Sequence, residues 1–129
     1  MNNLLKKKEY YLRPYNMYVA VFEQNSISVP TLIKVLYNDF KQPLDITWER
    51  PDLGKYEGTV QNLNQLNIRE SDNISVACEL IYAGSLGTRI QGLLSLNHSI
   101  ITIGHYILAF AGTDDVYGKF VITYSKMKS

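Results

Sequence analysis

The chain has 129 residues, of which 46% are hydrophobic and 19% are charged, and its formal net charge at pH 7 is +1. This length and composition fit one folded domain and exclude a disordered chain. The near-neutral charge, with no large basic face, argues against a nucleic-acid partner. The single Cys78 excludes an internal disulfide and agrees with a reducing compartment, so the sequence predicts a cytoplasmic protein.

Residues 1–14 are predicted to be an N-terminal extension, and 15–129 to be the folded domain. The extension contains the basic run Lys6-Lys7-Lys8, which has fewer charges than the clusters that hold proteins on anionic membranes. No long apolar run follows, so neither a transmembrane helix nor stable membrane insertion is predicted. The best helical candidate in the chain is the short region 4–12.

From residue 16 onward the sequence is typical of short strands separated by turn residues. The ten tyrosines, together with Val and Ile, favour pleated and half-buried surfaces. The predicted strands are 16–23, 31–37, 44–48 (or an irregular segment), 56–64, 74–82, 89–96, 99–111 and 117–126. Such consecutive hairpins predict an all-β fold, a single antiparallel up-and-down β-barrel of about eight strands, because closure removes exposed edges.

Glu23 is the first candidate for a functional side chain. By the two-residue alternation of a strand, it lies on the same face as Met17, Val19 and Val21. If that face lines a closed cavity, Glu23 is a carboxylate in an apolar environment, where its charged form is costly and its pKa tends to rise. The alternative is that Glu23 marks the end of the strand and turns to water.

The other face of the first strand then needs cover. If Glu23 faces inward, Tyr18, Ala20 and Phe22 face outward and form an apolar surface. Burial of that surface against a second subunit predicts a homodimer or a homotrimer.

Common signatures of catalysis are missing from the sequence. It has no phosphate-binding glycine loop and no nucleophile elbow, and it has too few Cys and His residues for a structural zinc site. We therefore predict no metal and no cofactor. Cys78 lies among apolar residues and is predicted to be a packed core thiol. Glu79 lies on the opposite face of the same strand, directed either to solvent, which we favour, or to the lumen.

Three segments resemble the allene oxide cyclase barrel family, whose fold is shared by plant dirigent proteins and bacterial spirotetronate cyclases. The segments are Val21-Phe22-Glu23-Gln24-Asn25 followed by Pro30, the hairpin region 79–92, and the region 108–121 before the last predicted strand. The resemblance implies a barrel with an apolar lumen. It also implies that Glu23 stabilises developing positive charge, while Asn25 and Pro30 help to hold a water molecule.

Two departures from the family pattern bear on its chemistry. Val29 stands where the family has Ser before its Pro, and Val60 falls where the plant enzymes have a lumen Cys. They weaken the expectation of an allene oxide substrate and leave the barrel expectation unchanged.

The resemblance implies a cofactor-independent cyclase or isomerase of secondary metabolism. It would bind an apolar polyene or lipid-like substrate and promote ring formation, by a [4+2]-type reaction or by epoxide opening, while excluding bulk water. Glu23 is the predicted catalytic residue. The predicted substrate-binding residues are Met17, Val19, Val21, Asn25, Pro30 and Val60.

The alternative is a non-catalytic, dirigent-like or lipocalin-like protein that binds a hydrophobic ligand. The two functions differ in what surrounds Glu23. A closed lumen that contains Glu23 and Asn25 would favour the enzyme. Exposure of Glu23 to solvent, or a lumen filled with side chains, would remove most of the support for the enzyme.

Overall fold

A computed structural model describes residues 15–24, 29–52, 54–83, 90–105 and 118–127, and these contain eight β-strands. The strands are β1 (Tyr15–Gln24), β2 (Thr31–Asn38), β3 (Ile46–Asp52), β4 (Lys55–Val60), β5 (Ile74–Ala83), β6 (Ile90–Leu94), β7 (Ile100–His105) and β8 (Gly118–Met127). The predicted all-β class is confirmed. Within these ranges no helix is long and apolar enough to cross a membrane.

Most predicted strands agree with the structure to within a few residues. The predicted turn at 97–98 is confirmed, with His98 in the left-handed region at φ 64°. Strand β7 is described only as far as His105, so the predicted continuation to 111 lies outside the described residues. The predicted N-terminal extension, 1–14, also lies outside them.

The strands form two antiparallel four-stranded sheets. Sheet A has the order β2-β1-β8-β5, and sheet B has the order β3-β4-β7-β6. The predicted up-and-down order is wrong, because β4 pairs with β7 and β5 pairs with β8. The connection 61–73 between β4 and β5 is far too long for a hairpin loop, and it carries the chain from sheet B to sheet A. Closure into a single barrel stays a prediction.

Large apolar side chains from both sheets fill the space between them. The Phe22 ring of sheet A meets the Trp48 ring of sheet B edge-on, with 5.5 Å between centroids, and stacks on Phe120 at 5.8 Å. The buried apolar residues of the strands are Tyr18, Ala20, Phe22, Tyr56, Val60, Ile101, Ile103, Phe120, Ile122 and Tyr124. The interior is therefore packed with side chains, as in a β-sandwich.

This packing corrects the predicted orientation of β1. Tyr18, Ala20 and Phe22, which were predicted to face outward, are buried between the sheets. Both faces of β1 are apolar, so alternation alone does not say which one is inside. The face with the two aromatic rings has more apolar area to remove from water, and it is the one that is buried.

Candidate interaction surface

Glu23 lies on the outer face of sheet A, so the prediction that it faces an apolar lumen is wrong. Its Oε2 lies 3.9 Å from Nζ of Lys119, its neighbour across the β1–β8 pair, and its side chain is 30% exposed. Ion pairs this exposed are screened by water and contribute little to stability. The Glu23 carboxylate is consequently a partly hydrated surface charge.

The other predicted site residues lie in different parts of the structure. Met17, Val19 and Val21 share the outer face with Glu23 and are partly exposed. Val60 belongs to the core between the sheets, on the other side of sheet A from Glu23. Pro30 is buried just before β2, and Asn25 lies outside the described residues. The described part of the predicted set therefore does not form one site.

Three titratable side chains of the interior, Cys78, Tyr18 and Tyr124, are held in their neutral forms, because burial raises the pKa of each. Burial raises the pKa of the Cys78 thiol to about 12 and that of the Tyr18 phenol to about 12. Cys78 packs against the core, as the sequence predicts. At neutral pH these groups supply neither a thiolate nor a phenolate. The described residues also contain no group of three or more His, Cys, Asp or Glu side chains that could hold a metal ion.

Residues on the outer face of sheet A are aligned in rows across the four strands, because directly opposed residues of antiparallel strands point to the same side. One row runs Lys34, Val21, Val121, Glu79 from β2 to β5. The next row runs Tyr37, Val19, Thr123, Ala77, and another contains Thr31, Glu23 and Lys119. The row of Val21 thus carries charges at its two edge strands and valines at its centre, whereas Glu23 and Lys119 place charges at one end of the two central strands. Glu79 is exposed on this face, as we favoured from the sequence.

Strand β2 exposes a second apolar surface along the edge of sheet A. Two irregularities in its pairing with β1 leave Ile33 and Leu36 as extra, bulged residues. Ile33 is 50% exposed, Leu36 is 52% exposed, and Leu32 beside them is 48% exposed. We call these three residues the β2 ridge.

The β3 edge of sheet B differs from the β2 ridge. Strand β3 carries exposed Glu49, Pro51 and Asp52. Charges and proline are the usual protection of an edge strand against association. The β2 ridge has Lys34 as its one charged neighbour within the strand, so it has much less of this protection.

A polar cleft of about 500 Å³ lies near the C-terminal end of β8 and is lined by Asn67, Arg69, Ser71, Asp72 and Lys126. The backbone N–H of Arg69 donates to Oδ2 of Asp72 at 2.7 Å. Lys126 donates to the carbonyl of Asn67 at 2.9 Å, and its Nζ lies 3.5 Å from the same Asp72 oxygen. The Arg69 N–H bond and the Lys126 charge lower the pKa of Asp72. These contacts tie the 61–73 connection to β8, a structural role.

Comparisons with models of known protein families, with curated proteins and with solved structures found no match to this chain. The resemblance to the allene oxide cyclase barrel family therefore stays a prediction.

The sequence reasoning missed the β2 ridge. The run Thr31-Leu-Ile-Lys-Val-Leu-Tyr-Asn38 lacks the alternation of apolar and polar residues that a half-buried strand shows. Such a run predicts either a strand buried on both faces or an exposed apolar edge. The missing alternation was therefore the available signal.

Proposed function

We propose that the protein is a non-catalytic binding protein whose β2 ridge recognises an apolar segment of another protein. The observation that carries the proposal is the exposure of Leu32, Ile33 and Leu36, each about half accessible to solvent, on a strand that pairs with β1 alone among the described strands. Contiguous apolar side chains at a sheet edge favour recognition of an extended peptide.

The cyclase function depended on Glu23 facing a cavity large enough for an apolar substrate. Glu23 lies beside Lys119 on the outer face, and aromatic side chains occupy the space between the sheets. A non-catalytic binding protein, the class of the alternative function, is therefore better supported than the cyclase. The ligand that we propose differs from that of a dirigent-like or lipocalin-like protein, because it contacts the outside of the sheet and not a lumen.

The bulges determine whether a ligand would bind the ridge through backbone hydrogen bonds or through side-chain contacts. A regular edge offers a continuous ladder of backbone N–H and C=O groups, whereas the two bulges of β2 interrupt that ladder. They also bring Ile33 and Leu36 to the surface as side-chain contacts. Recognition would consequently rest mainly on apolar side chains, with a few backbone hydrogen bonds between the bulges.

Selection from a phage library of random peptides of about 12 residues, long enough to run the length of β2, tests the proposal. We expect apolar peptides to be enriched and to bind the wild-type protein with a Kd in the micromolar range, that is about 1–100 μM. The double variant Ile33→Ser/Leu36→Ser should weaken this binding at least about tenfold, because it removes apolar area from the contact.

The matched control is Leu93→Ser/Leu96→Ser, which removes two exposed leucines from the β6–β7 region. Its affinity for the selected peptides should equal that of the wild type. Equal loss of affinity in both double variants, or no enrichment of any peptide, would contradict the proposal. Circular dichroism spectra establish that each variant is folded.

A further inference from the structure

The outer face of sheet A is separate from the β2 ridge, and its row structure carries an inference of its own. In the row Lys34, Val21, Val121, Glu79, a positive charge stands at the β2 edge and a negative charge stands at the β5 edge. The two central residues are valines. The row therefore has opposite charges at its two ends and the same residue type at its two central positions.

We propose that this face is the interface of a homodimer with a two-fold axis that runs along the strands between β1 and β8. Rotation about that axis places each row over the same row of the second copy, with the order of the four strands reversed. Lys34 then lies over Glu79 of the second copy, and Val21 lies over Val121. The face is complementary to itself in charge.

Two more rows are also complementary to themselves under the same two-fold rotation. Glu23 meets Lys119 of the second copy, so the pair that is 3.9 Å apart in one protomer becomes part of a group of four alternating charges. In the row of Tyr37, Val19, Thr123 and Ala77, the large Tyr37 ring lies over the small Ala77 side chain. Charge and size therefore both favour one orientation.

The competing two-fold axis runs across the strands. Placed on the row of Val21, it would bring Lys34 over Lys34 and Glu79 over Glu79 of the second copy. Like charges opposed in this way cost free energy, and more so where water is excluded. The distribution of charge thus selects the axis along the strands.

The area of the face is sufficient for such a dimer. Four strands about 4.8 Å apart and up to ten residues long at about 3.3 Å per residue give a face of roughly 600 Å² in each protomer. The two protomers together would bury roughly 1,200 Å², the lower end of the range for specific interfaces. Stacked sheets of this kind pack about 10 Å apart.

Sedimentation velocity of the full chain, from about 1 to 100 μM, tests the dimer, because this range brackets the Kd of a small specific interface. We expect a dimer in the wild type. Lys34→Glu and Glu79→Lys should each weaken dimerisation at least about tenfold, since each opposes like charges. The double variant Lys34→Glu/Glu79→Lys should restore the wild-type constant to within about threefold.

Two control variants establish whether dimerisation uses this face of sheet A. Glu49→Lys reverses an exposed charge on sheet B and should leave the dimer unchanged. The ridge variant Ile33→Ser/Leu36→Ser should also dimerise normally, so failure of the peptide-binding proposal and failure of the dimer are distinguishable. A wild-type monomer at about 100 μM would overturn the dimer. A double variant that dimerises as weakly as the single variants would also overturn it.

Discussion

Gly58 lies directly opposite Trp48 in the β3–β4 pair, and the indole ring covers it. A Cβ atom at this position would lie 2.8 Å from Cγ2 of Ile46 and 2.9 Å from the Trp48 ring. Atoms of a packed core do not approach so closely, so one of the neighbours would have to move. The ring of Trp48 also contacts Phe22 of the other sheet, and its displacement would disturb the contact between the sheets.

Gly58→Ala is therefore expected to lower the free energy of unfolding by about 1–3 kcal/mol, the usual cost of overpacking. Urea denaturation followed by circular dichroism measures the change. In combination with Ile46→Ala, which removes the nearest clashing atom, Gly58→Ala should cost less than it does alone. Strictly additive costs would show that the clash is absent.

At the scale of single residues, the sequence predicted environments for some side chains and not for others. Cys78 was predicted correctly as a packed thiol, because its strand has one clearly apolar face. Glu23 was placed on the wrong side, because both faces of β1 are apolar and the difference lies in side-chain size. Side-chain size decides which face of a strand is buried only when two sheets pack together and must fill the space between them.

Polar contacts at one end of β8 help to hold the connection between β4 and β5, which also buries apolar side chains in the core. Lys126 and the backbone N–H of Arg69 both contact the carboxylate of Asp72, and Lys126 also binds the Asn67 carbonyl. This connection carries the chain from one sheet to the other. Contacts that stabilise it therefore stabilise the joining of the sheets.

Because the pKa of Asp72 is lowered in the folded protein, its ionised form contributes stability. That contribution is complete above the ordinary pKa of aspartate, about 4, and is lost as the pH falls through the lowered folded pKa. The difference in free energy of unfolding between the wild type and Asp72→Asn should thus shrink from pH 6 toward pH 2, as measured by urea denaturation at each pH.

Salt concentration separates the two contacts of Asp72. The attraction of the Lys126 charge should weaken in about 1 M NaCl, where the screening length is roughly 3 Å, whereas the hydrogen bond from the Arg69 N–H should persist. The difference between the wild type and Asp72→Asn should therefore fall only in part at high salt. A pH-independent difference would contradict the assigned role of the carboxylate.

At the scale of elements, the existence and bounds of the strands and the hairpins β1–β2, β3–β4 and β6–β7 were predictable, whereas the pairs β4–β7 and β5–β8 were not. Strand β2 was predicted within one residue, because Val, Ile, Leu and Tyr are concentrated between turn residues. The β1–β8 pair, which joins Tyr15 to Met127, is the pair that closure of the predicted barrel requires, but β4 and β5 pair with β7 and β8 and not with each other. Alternation is a local pattern and contains no information about distant partners.

The whole molecule depends on β8, which lies in the interior of sheet A between β1 and β5. Its residues Phe120, Ile122 and Tyr124 are fully buried. A chain that ends at residue 117 would leave β1 and β5 without their shared neighbour. We expect this truncated chain to show no cooperative unfolding transition in urea, whereas the full chain shows one. A cooperative transition in the truncated chain would mean that sheet A closes without β8.

The position of β8 also has a consequence for the synthesis of the protein in a cell. β1 leaves the ribosome roughly 100 residues before β8 does, an interval of roughly 5–20 s at typical elongation rates. During that interval Tyr18 and Phe22 cannot be covered by Phe120 and Tyr124, their sheet neighbours in the folded protein. The nascent chain therefore presents apolar strands to chaperones and to other nascent chains, and its yield in expression depends on how well they are shielded until the last strand emerges.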